Sequence, residues 1–586
     1  MIEDKLLLSN LKPGRYIGHE WNVTKKDFSR VKLSVCLSFP DIYDIGMSNL
    51  GVRILYDILN SRHDIACERV FCPWPDFAKT LRDNSLELSS LESQTPISKF
   101  DIVGFSIDNE LNYTNILSIL SLSNIPLYAK DRPIGSPLII GGGNCVFNPE
   151  PLADFFDLFV VGEAENVMLE ITKVAKKFKK SFGSVSKHKK DLLIELSQIP
   201  GIYVPSFYNV EYDSDFNVKE FAPLVKYAPG LIKKQYVKDL NKNLYPQKWI
   251  IPNIEIVHDR IGIEIMRGCM HSCRFCQARN YFYPLRIRNA KNILNLAKKL
   301  YKQTGYEEIS LLSLSSSNHP QIEEISRCLL GYFQNKGVNI SLPSIRPASV
   351  VGDLSRLFSA GQRKTGLTFA PEAGSEKLRR VINKDFDMES LFKVTREAFS
   401  AGYRRIKLYF MIGLPKEDNS DLDAIVDLVL QLSNLRKEVS NRKAEINISL
   451  SSFIPKPHTP FQWLNMDSMG TILNKQRYIS DLLKSKFNID LSFHDVHMSY
   501  LEAVLTRGHR DLSKIIVSSF NKGAQFDQWR DYFNFNIWKG SFNEYGIDLE
   551  EFARRQITLD KKLIWDFIDV GVDKKYLKEE FQKALT

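Results

Sequence analysis

The sequence predicts an α/β protein: an N-terminal doubly wound parallel sheet, a central partial (βα)6 barrel of the TIM type, and a helical C-terminal domain. Three observations carry this reading. Two separate stretches alternate short apolar runs with helical patterns, the arrangement that builds parallel sheets. The second alternation continues through six consecutive βα units, which a parallel barrel or part of one accounts for. Residues 466–586 then read as mostly helical and rich in aromatics. A length of 586 residues fits about three or four domains.

Residues 1–30 read as an entry arm and 31–175 as the doubly wound domain. VKLSVCLSF (31–39), DIVGFSI (101–107), PLIIGGG (137–143) and LFVVGE (158–163) are apolar runs of strand length. Helical patterns over 47–59 and 113–123 lie between them. Residues 176–254 form a connector. Within it GIYVPSFYNVEYDSDFNVKEF (201–221) alternates about an Asp-Ser-Asp turn, which predicts a hairpin. In 255–465 the predicted barrel strands are GIEIM (262–266), EISLLSL (308–314), VNISLPS (338–344), TGLTFAP (365–371), RIKLYFMIG (405–413) and EINISLSSFIP (445–455). Helical patterns such as 290–302, 321–335, 390–401 and 420–435 separate them. Such barrels place their chemistry at the C-terminal ends of the strands.

Hydrophobic residues make up 44% and charged residues 25%, the balance of a globular chain. No run of about 18 apolar residues is present to span a membrane. The start MIEDKLLLSN is acidic at once and has no secretory signal pattern. Eight cysteines in this length, three of them clustered, do not form a disulfide framework, so a reducing cytoplasm is the expected compartment. The net charge of +10 is partly local, because KVAKKFKKSFGSVSKHKK (173–190) holds eight lysines and no acid. That stretch lacks the interleaved aromatics of a nucleic-acid stacking platform and reads as a solvated helix face.

The chemistry concentrates in RGCMHSCRFCQAR (267–279), directly after the first barrel strand. Cys269, Cys273 and Cys276 have the spacing C-x3-C-x2-C. Structural zinc takes four protein ligands, and a disulfide framework takes an even number. Three thiolates can hold three irons of a [4Fe–4S] cluster and leave the fourth iron open to a ligand that is not a side chain. A Cys3His zinc site is the competing reading, but His271 lies inside the short loop and would crowd the cysteines.

The spacing, with Phe275 before the last cysteine, resembles the hallmark of the radical S-adenosylmethionine superfamily. The resemblance implies that S-adenosylmethionine chelates the open iron and that one electron cleaves its sulfonium. A 5′-deoxyadenosyl radical then abstracts hydrogen from a substrate, the cofactor supplying the chemistry and the protein positioning it. It also implies an electron donor such as a flavodoxin or ferredoxin. Members of the superfamily contact the ligand from several strand ends, which here offer candidate cofactor-binding residues. The second strand runs into LSSSNHP with Ser315, Ser316 and Asn318; the familiar Gly-Gly-Glu is absent. The third ends near Arg346, and the fourth at Glu372 in TFAPEAGSEKLRRVINK. The fifth ends at Gly413, where backbone can approach an adenine ring closely.

Over most of residues 10–586 the chain is similar to one family within that superfamily, which joins an N-terminal cobalamin-binding-like domain to the radical barrel and a helical tail. The motifs that carry this are FPDIYDIGMSNLG (39–51), GFSIDNELNYTNIL (104–117), NPEPLADFFD (148–157), VVGEAE (160–165), YPLRIRN (283–289), LTFAPEAGSEKLRRVINK (367–384) and FIPKPHTPFQW (453–463). Cobalamin proteins that displace the lower base carry D-x-H-x-x-G at the sheet edge. In DIYDIG (41–46) Tyr43 replaces that histidine, so histidine-ligated cobalamin is not expected, while cobalamin binding itself stays open. The resemblance then places Tyr43 near the lower face of the corrin. Gly141, Gly142 and Gly143 either admit a bulky ligand or merely turn the chain.

Cys36 falls inside a buried strand, Cys145 after a glycine turn and Cys328 on an apolar helix face, and Cys67 and Cys72 have C-x4-C spacing. A second cluster would need three or four converging thiolates and is not expected, which argues against methylthio transfer. In the tail, HDVHMSYLEAVLTRGHR (494–510) gathers His494, His497, Arg507, His509 and Arg510 as either polar helix ends or a substrate-facing patch. Two functional readings follow. One is a radical enzyme, a methyl or alkyl transferase among the options, acting on RNA, protein or a small molecule. The other is an iron–sulfur and S-adenosylmethionine-binding module without radical turnover.

Overall fold

The computed structural model describes residues 4–586 apart from 214, 243–244, 344–345, 347–365 and 385. The first layer is a six-stranded sheet built from β1 (Leu33–Phe39), β2 (Ile65–Phe71), β3 (Ile102–Ser106), β4 (Leu138–Gly142), β5 (Leu158–Val160) and β6 (Ile202–Tyr203). Its order is β2-β1-β3-β4-β5-β6. The first five strands are parallel, and β6 closes the edge antiparallel to β5. All seven residues of β1 are buried, as the unbroken apolar run requires of a strand covered on both faces. Helices Leu50–Asn60, Tyr113–Leu122 and Ala164–Phe182 follow β1, β3 and β5. The Asn49 side chain starts the first of them by accepting from the Val52 amide.

Two elements of this layer differ from the sequence expectation. Strand β2 is absent from it, because Glu68 and Arg69 interrupt the apolar pattern. Both are buried here: Glu68 accepts from Ser90 and Ser93, and Arg69 is clamped between Glu20 and Glu92. Helix Ala164–Phe182 runs on past 175, and β6 comes from the stretch read as connector. The expected hairpin is present as Tyr208–Tyr212 paired with Val218–Pro223. The lysine-rich stretch is a helix face with a short connector, and its cations find acids: Lys176 with Asp64, Lys177 with Glu195, Lys179 with Asp101 and Lys189 with Asp157.

The second layer is an open parallel barrel. Strands Ile261–Glu264, Glu308–Leu312 and Asn339–Ser341 pair in that order. Strands Leu367–Glu372, Arg405–Ile412, Glu445–Ser452 and Ile489–Phe493 pair likewise. Ser344 and Thr365, at the ends of the expected third and fourth strands, lie outside the described residues. The partial TIM-type barrel thus has a seventh parallel strand, Ile489–Phe493, in the segment read as helical tail. Its interior-facing residues, Asp490 and Ser492, are polar and the strand is short, so it lacks a strand-length apolar run. Along Arg405–Ile412, exposed Arg405, Lys407 and Tyr409 alternate with buried Ile406, Leu408 and Phe410. The apolar face meets the outer helices and the other faces the barrel interior. The helical tail follows, with helices including Val496–Thr506, Leu512–Asn521, Phe535–Glu544, Leu549–Arg554 and Lys574–Leu585. Among the described residues, no helix is long and apolar enough to cross a membrane.

Candidate active site

The cysteine loop leaves the first barrel strand through Arg267 and Gly268. Gly268 has φ +94°, and a Cβ there would lie 2.7 Å from the Phe282 carbonyl oxygen, so glycine is required. The loop is pinned from two sides. Arg274 donates from its amide to Ile382 O and from its guanidinium to Arg380 O and Val381 O, and pairs with Glu580 of the last helix at 3.0 Å. Asn383 donates to Ser272 O and Oγ at 3.0 and 2.9 Å. The RRVINK end of the fourth-strand motif therefore fixes the cysteines.

Cys269, Cys273 and Cys276 line one cavity of about 340 Å³ with Phe275, Ser315, Arg346, Glu372, Lys384 and Tyr409. Among the described residues no His, Cys, Asp and Glu side chains converge on a single metal ion. His271 turns its Nε2 to Asn318 Oδ1 at 3.2 Å. Thiols spread around a common recess suit a multi-iron cluster. Burial pushes the Cys273 thiol up to about 11 and raises Cys276 as well. Loading metal therefore displaces protons.

Ser315, Arg346 and Glu372 line this cavity as the sequence suggests. The Ser315 hydroxyl donates to Asn318 Oδ1 at 2.6 Å, and the Arg346 amide donates to Ser317 Oγ at 2.9 Å. Asn318 thus stands behind the wall, holding both Ser315 and His271. Three candidates are placed elsewhere. Ser316 is buried and donates to Leu311 O at 2.8 Å, closing the turn after the second strand. Gly413 has φ +82° but spends its amide on Glu417 Oε2 at 2.8 Å, and is not among the cavity's lining residues. Tyr43 is packed edge-on against Phe71, and its hydroxyl donates to Glu20 at 3.2 Å and accepts from the Asn253 amide at 3.3 Å.

Lys384 and Tyr409 were not singled out in the sequence. Lys384 Nζ lies 2.7 Å from Glu372 Oε1, both side chains largely buried. Glu372 adopts φ +66° where the fourth strand slips register, a costly conformation for a residue with a Cβ. The strained turn aims the carboxylate into the cavity, and the lysine holds it there. Glu372→Ala is expected to retain four irons but to bind S-adenosylmethionine roughly ten- to a hundredfold more weakly, the loss of one charge-assisted hydrogen bond. Titration calorimetry checks this, and unchanged affinity would leave the pair a purely structural one.

A second cavity, of about 360 Å³, lies where the C-terminal edge of the first sheet meets the cysteine loop. Its walls include Asn49, Ser106, Asp108, Glu163 and Glu165 from the sheet side, and Glu264, Arg267 and Tyr281 from the barrel side. The strand order reverses at β1 and β3, the switch point at which such sheets bind ligands. At Gly143, φ is +102°, and a Cβ would stand 2.6 Å from Ile107 O. A Cβ on Gly141 would strike Phe159 at 2.5 Å. Both glycines are demanded by the chain itself.

Two family models match the chain. "Radical SAM proteins, N-terminal" covers residues 51–205, and "Radical SAM superfamily" covers 263–429. The chain belongs to the radical S-adenosylmethionine superfamily. Membership implies a [4Fe–4S] cluster and S-adenosylmethionine as cofactors. The chain is 27% identical over 528 residues to an uncharacterised protein of Methanocaldococcus jannaschii, MJ0966, spanning 88% of this chain and 97% of that one. It is also similar to TsrM from Kitasatospora setae, a radical S-adenosylmethionine methyltransferase solved with cobalamin and a [4Fe–4S] cluster. That match has a TM-score of 0.48 at 15% identity, covering 71% of this chain and 74% of the other. OxsB, a cobalamin-dependent S-adenosylmethionine radical enzyme, matches with a TM-score of 0.47 at 13% identity, covering 94% and 78%.

Proposed function

We propose that this radical S-adenosylmethionine protein is an enzyme that reductively cleaves S-adenosylmethionine at a cluster held by Cys269, Cys273 and Cys276, with methyl or alkyl transfer as its reaction class. The observation that carries the reading is the shared cavity, in which the three thiols and the Glu372–Lys384 pair face one recess at the C-terminal ends of the barrel strands. When bound, the cluster and S-adenosylmethionine supply a 5′-deoxyadenosyl radical. The chain's own residues hold the reactants. Glu372 accepts from the ligand's ammonium or ribose hydroxyls, and Ser315, oriented by Asn318, offers a second polar contact. Phe275 and Tyr409 wall the recess with aromatic surface that excludes water. Lys407, two residues before Tyr409 on the same interior face, and Asn447 in register with Lys407, offer polar contacts for a substrate in the open barrel. An electron donor of the flavodoxin or ferredoxin kind completes the requirements.

The test is product analysis. Anaerobically reconstituted protein with reductant and S-adenosylmethionine is expected to release 5′-deoxyadenosine or S-adenosylhomocysteine. Methionine-only or no turnover by cluster-loaded protein, across donors, would favour a binding module instead.

The switch-point cavity favours a second element of the reading, a corrinoid between the first sheet and the cluster loop. The fit is partial. The hydroxyl and amide groups of Ser106, Asn49 and Asn144 suit the amide fringe of a corrin, while about 360 Å³ is at the small end for a ligand cavity and no histidine lines it. A bound corrinoid would have no histidine under cobalt. The Tyr43 hydroxyl is held by Glu20 and the Asn253 amide. Retention of a corrinoid after reconstitution, read by absorbance, tests this element separately from S-adenosylmethionine cleavage.

A further inference from the structure

The cation-rich tail segment 494–510 is divided by the fold. Arg510 is neutralised by Glu150, Nε to Oε2 at 3.0 Å, and hydrogen-bonds the Tyr203 hydroxyl. His497 rests against Phe535. Arg507 and His509 turn inward and are 0% and 1% exposed. Arg507 donates from Nη1 to Ala553 O at 3.3 Å and from Nη2 to Arg555 O at 2.9 Å, at the end of helix Leu549–Arg554. Arg555 returns the contact, Nη2 to Arg507 O at 2.6 Å, at the end of helix Val496–Thr506. Each guanidinium thus sits at a helix C-terminus, where the dipole favours a cation.

That arrangement leaves a surplus of buried positive charge. Among the described residues, neither Arg507 nor Arg555 has a carboxylate within ion-pair distance. Asp213 pulls on Arg555 only weakly, being engaged with Asn217 and, at 3.5 Å, with Lys561. Burial lowers both guanidiniums, Arg555 to about 10, and repulsion from Arg555 lowers Arg507 further. Nε of Arg507, Nε and Nη1 of Arg555, and both ring nitrogens of His509 are buried without a hydrogen-bond partner. Buried charges are ordinarily paired, and buried donors satisfied. A recess of about 470 Å³ opens beside this cluster, between the hairpin tip at Phe216 and Asn217 and the segment carrying Arg555, Thr558 and Lys561. Phe216 forms part of its wall with φ +60°, stacked on the His509 ring at 4.6 Å.

We propose that this recess is an oxyanion site, in which a small ligand seats a phosphate-class group on the Arg555 guanidinium and the Lys561 ammonium. Arg555 has unused N–H donors on Nε and Nη1, on different sides of its planar guanidinium, while Nη2 is spent on Arg507 O. The always-charged group can therefore give charge-assisted donors to the oxygens of a phosphate. The mouth selects against long polyanions. Asp215, Asp548 and Glu551 line it and are exposed, so a nucleic-acid backbone would be repelled where a compact anion passes to the buried cations. The site lies in the helical tail, apart from the cysteine cavity, and shares no lining residue with it.

The test uses the cluster-loaded full chain in phosphate-free buffer, with inorganic phosphate as the probe in titration calorimetry. Saturable binding is expected. Lys561→Gln should weaken it about tenfold, the value of one charge-assisted contact. Glu551→Gln, an exposed rim change, should tighten it, which no purely structural role for the recess would produce. Neither variant should alter S-adenosylmethionine affinity, which separates this site from Arg346 and Lys384 in the cysteine cavity. Arg555→Gln should abolish binding, with thermal unfolding as the control for its capping role. Absence of saturable binding, or phosphate affinity unchanged in both Lys561→Gln and Glu551→Gln, overturns the proposal.

Discussion

Each of Cys269→Ala, Cys273→Ala and Cys276→Ala is expected to purify without a [4Fe–4S] cluster and without any cleavage of S-adenosylmethionine. The three thiols face one cavity, and three irons need three thiolates. No described side chain is placed to substitute. His271 is held by Asn318. The other cysteines are far along the chain, and Cys36, Cys67, Cys72 and Cys145 are buried, with burial raising each thiol well above its ordinary value. The fold should survive, because the loop is fastened by Arg274 and Asn383 rather than by the cysteines. Iron counting, absorbance and far-ultraviolet circular dichroism check the two halves of this expectation. A variant with native helicity and a full complement of four irons would remove that cysteine from the ligand set.

What the sequence showed and what it hid follow from the range of the interactions involved. The strands of the first sheet were legible where burial on both faces makes a continuous apolar run, as in Leu33–Phe39. Strand Ile65–Phe71 was not, since Glu68 and Arg69 are tolerable inside only because Ser90, Ser93, Glu92 and Glu20 arrive from elsewhere in the chain. The seventh barrel strand, Ile489–Phe493, escaped for the same reason in reverse: its exposed Asp490 and Ser492 face the open interior, and only pairing with Glu445–Ser452 reveals it. The cysteine loop could be read at sight because its chemistry is local. Lys384 could not, because its meaning depends on Glu372 twelve residues earlier turning through a left-handed conformation. Tyr43 shows the same dependence on distant partners. Its motif position suggested a ligand face, and the arm residue Glu20 and the linker amide of Asn253 claim its hydroxyl.

Arg267→Met is expected to destabilise the protein by about 3–5 kcal/mol, the usual cost of removing one partner from a buried ionic cluster. Arg267 is the hub between the two layers. Its guanidinium meets Glu264 of the first barrel strand at 2.8 Å, Glu165 in the first turn of helix Ala164–Phe182 at 2.7 Å and Glu163, the N-cap of that helix, at 2.8 Å. Among the described residues, only Glu163 of the three has a second cation in an ion pair, Arg286 at 2.7 Å. Methionine keeps the volume and removes the charge, which leaves Glu165 and Glu264 facing each other with no cation between them. Burial already pushes the Glu165 carboxyl up in the wild type, and losing Arg267, which holds it down, must raise it further. A carboxyl whose folded pKa exceeds its unfolded value contributes its stability below the unfolded pKa and loses it as pH rises through the folded one. The deficit of the variant should therefore shrink as pH falls from neutrality toward about 4, the ordinary glutamate range. Adding Glu165→Gln should recover part of the loss at neutral pH and flatten that dependence, a coupling that a double-mutant cycle isolates. Because Arg267 stands two residues before Cys269, iron retention should fall together with stability. Denaturant unfolding across pH, with iron counted on the same samples, decides it. A variant within about 1 kcal/mol of wild type, the ordinary scale of a surface ion pair, would mean that the first sheet does not hold the cluster loop through this cluster of charges.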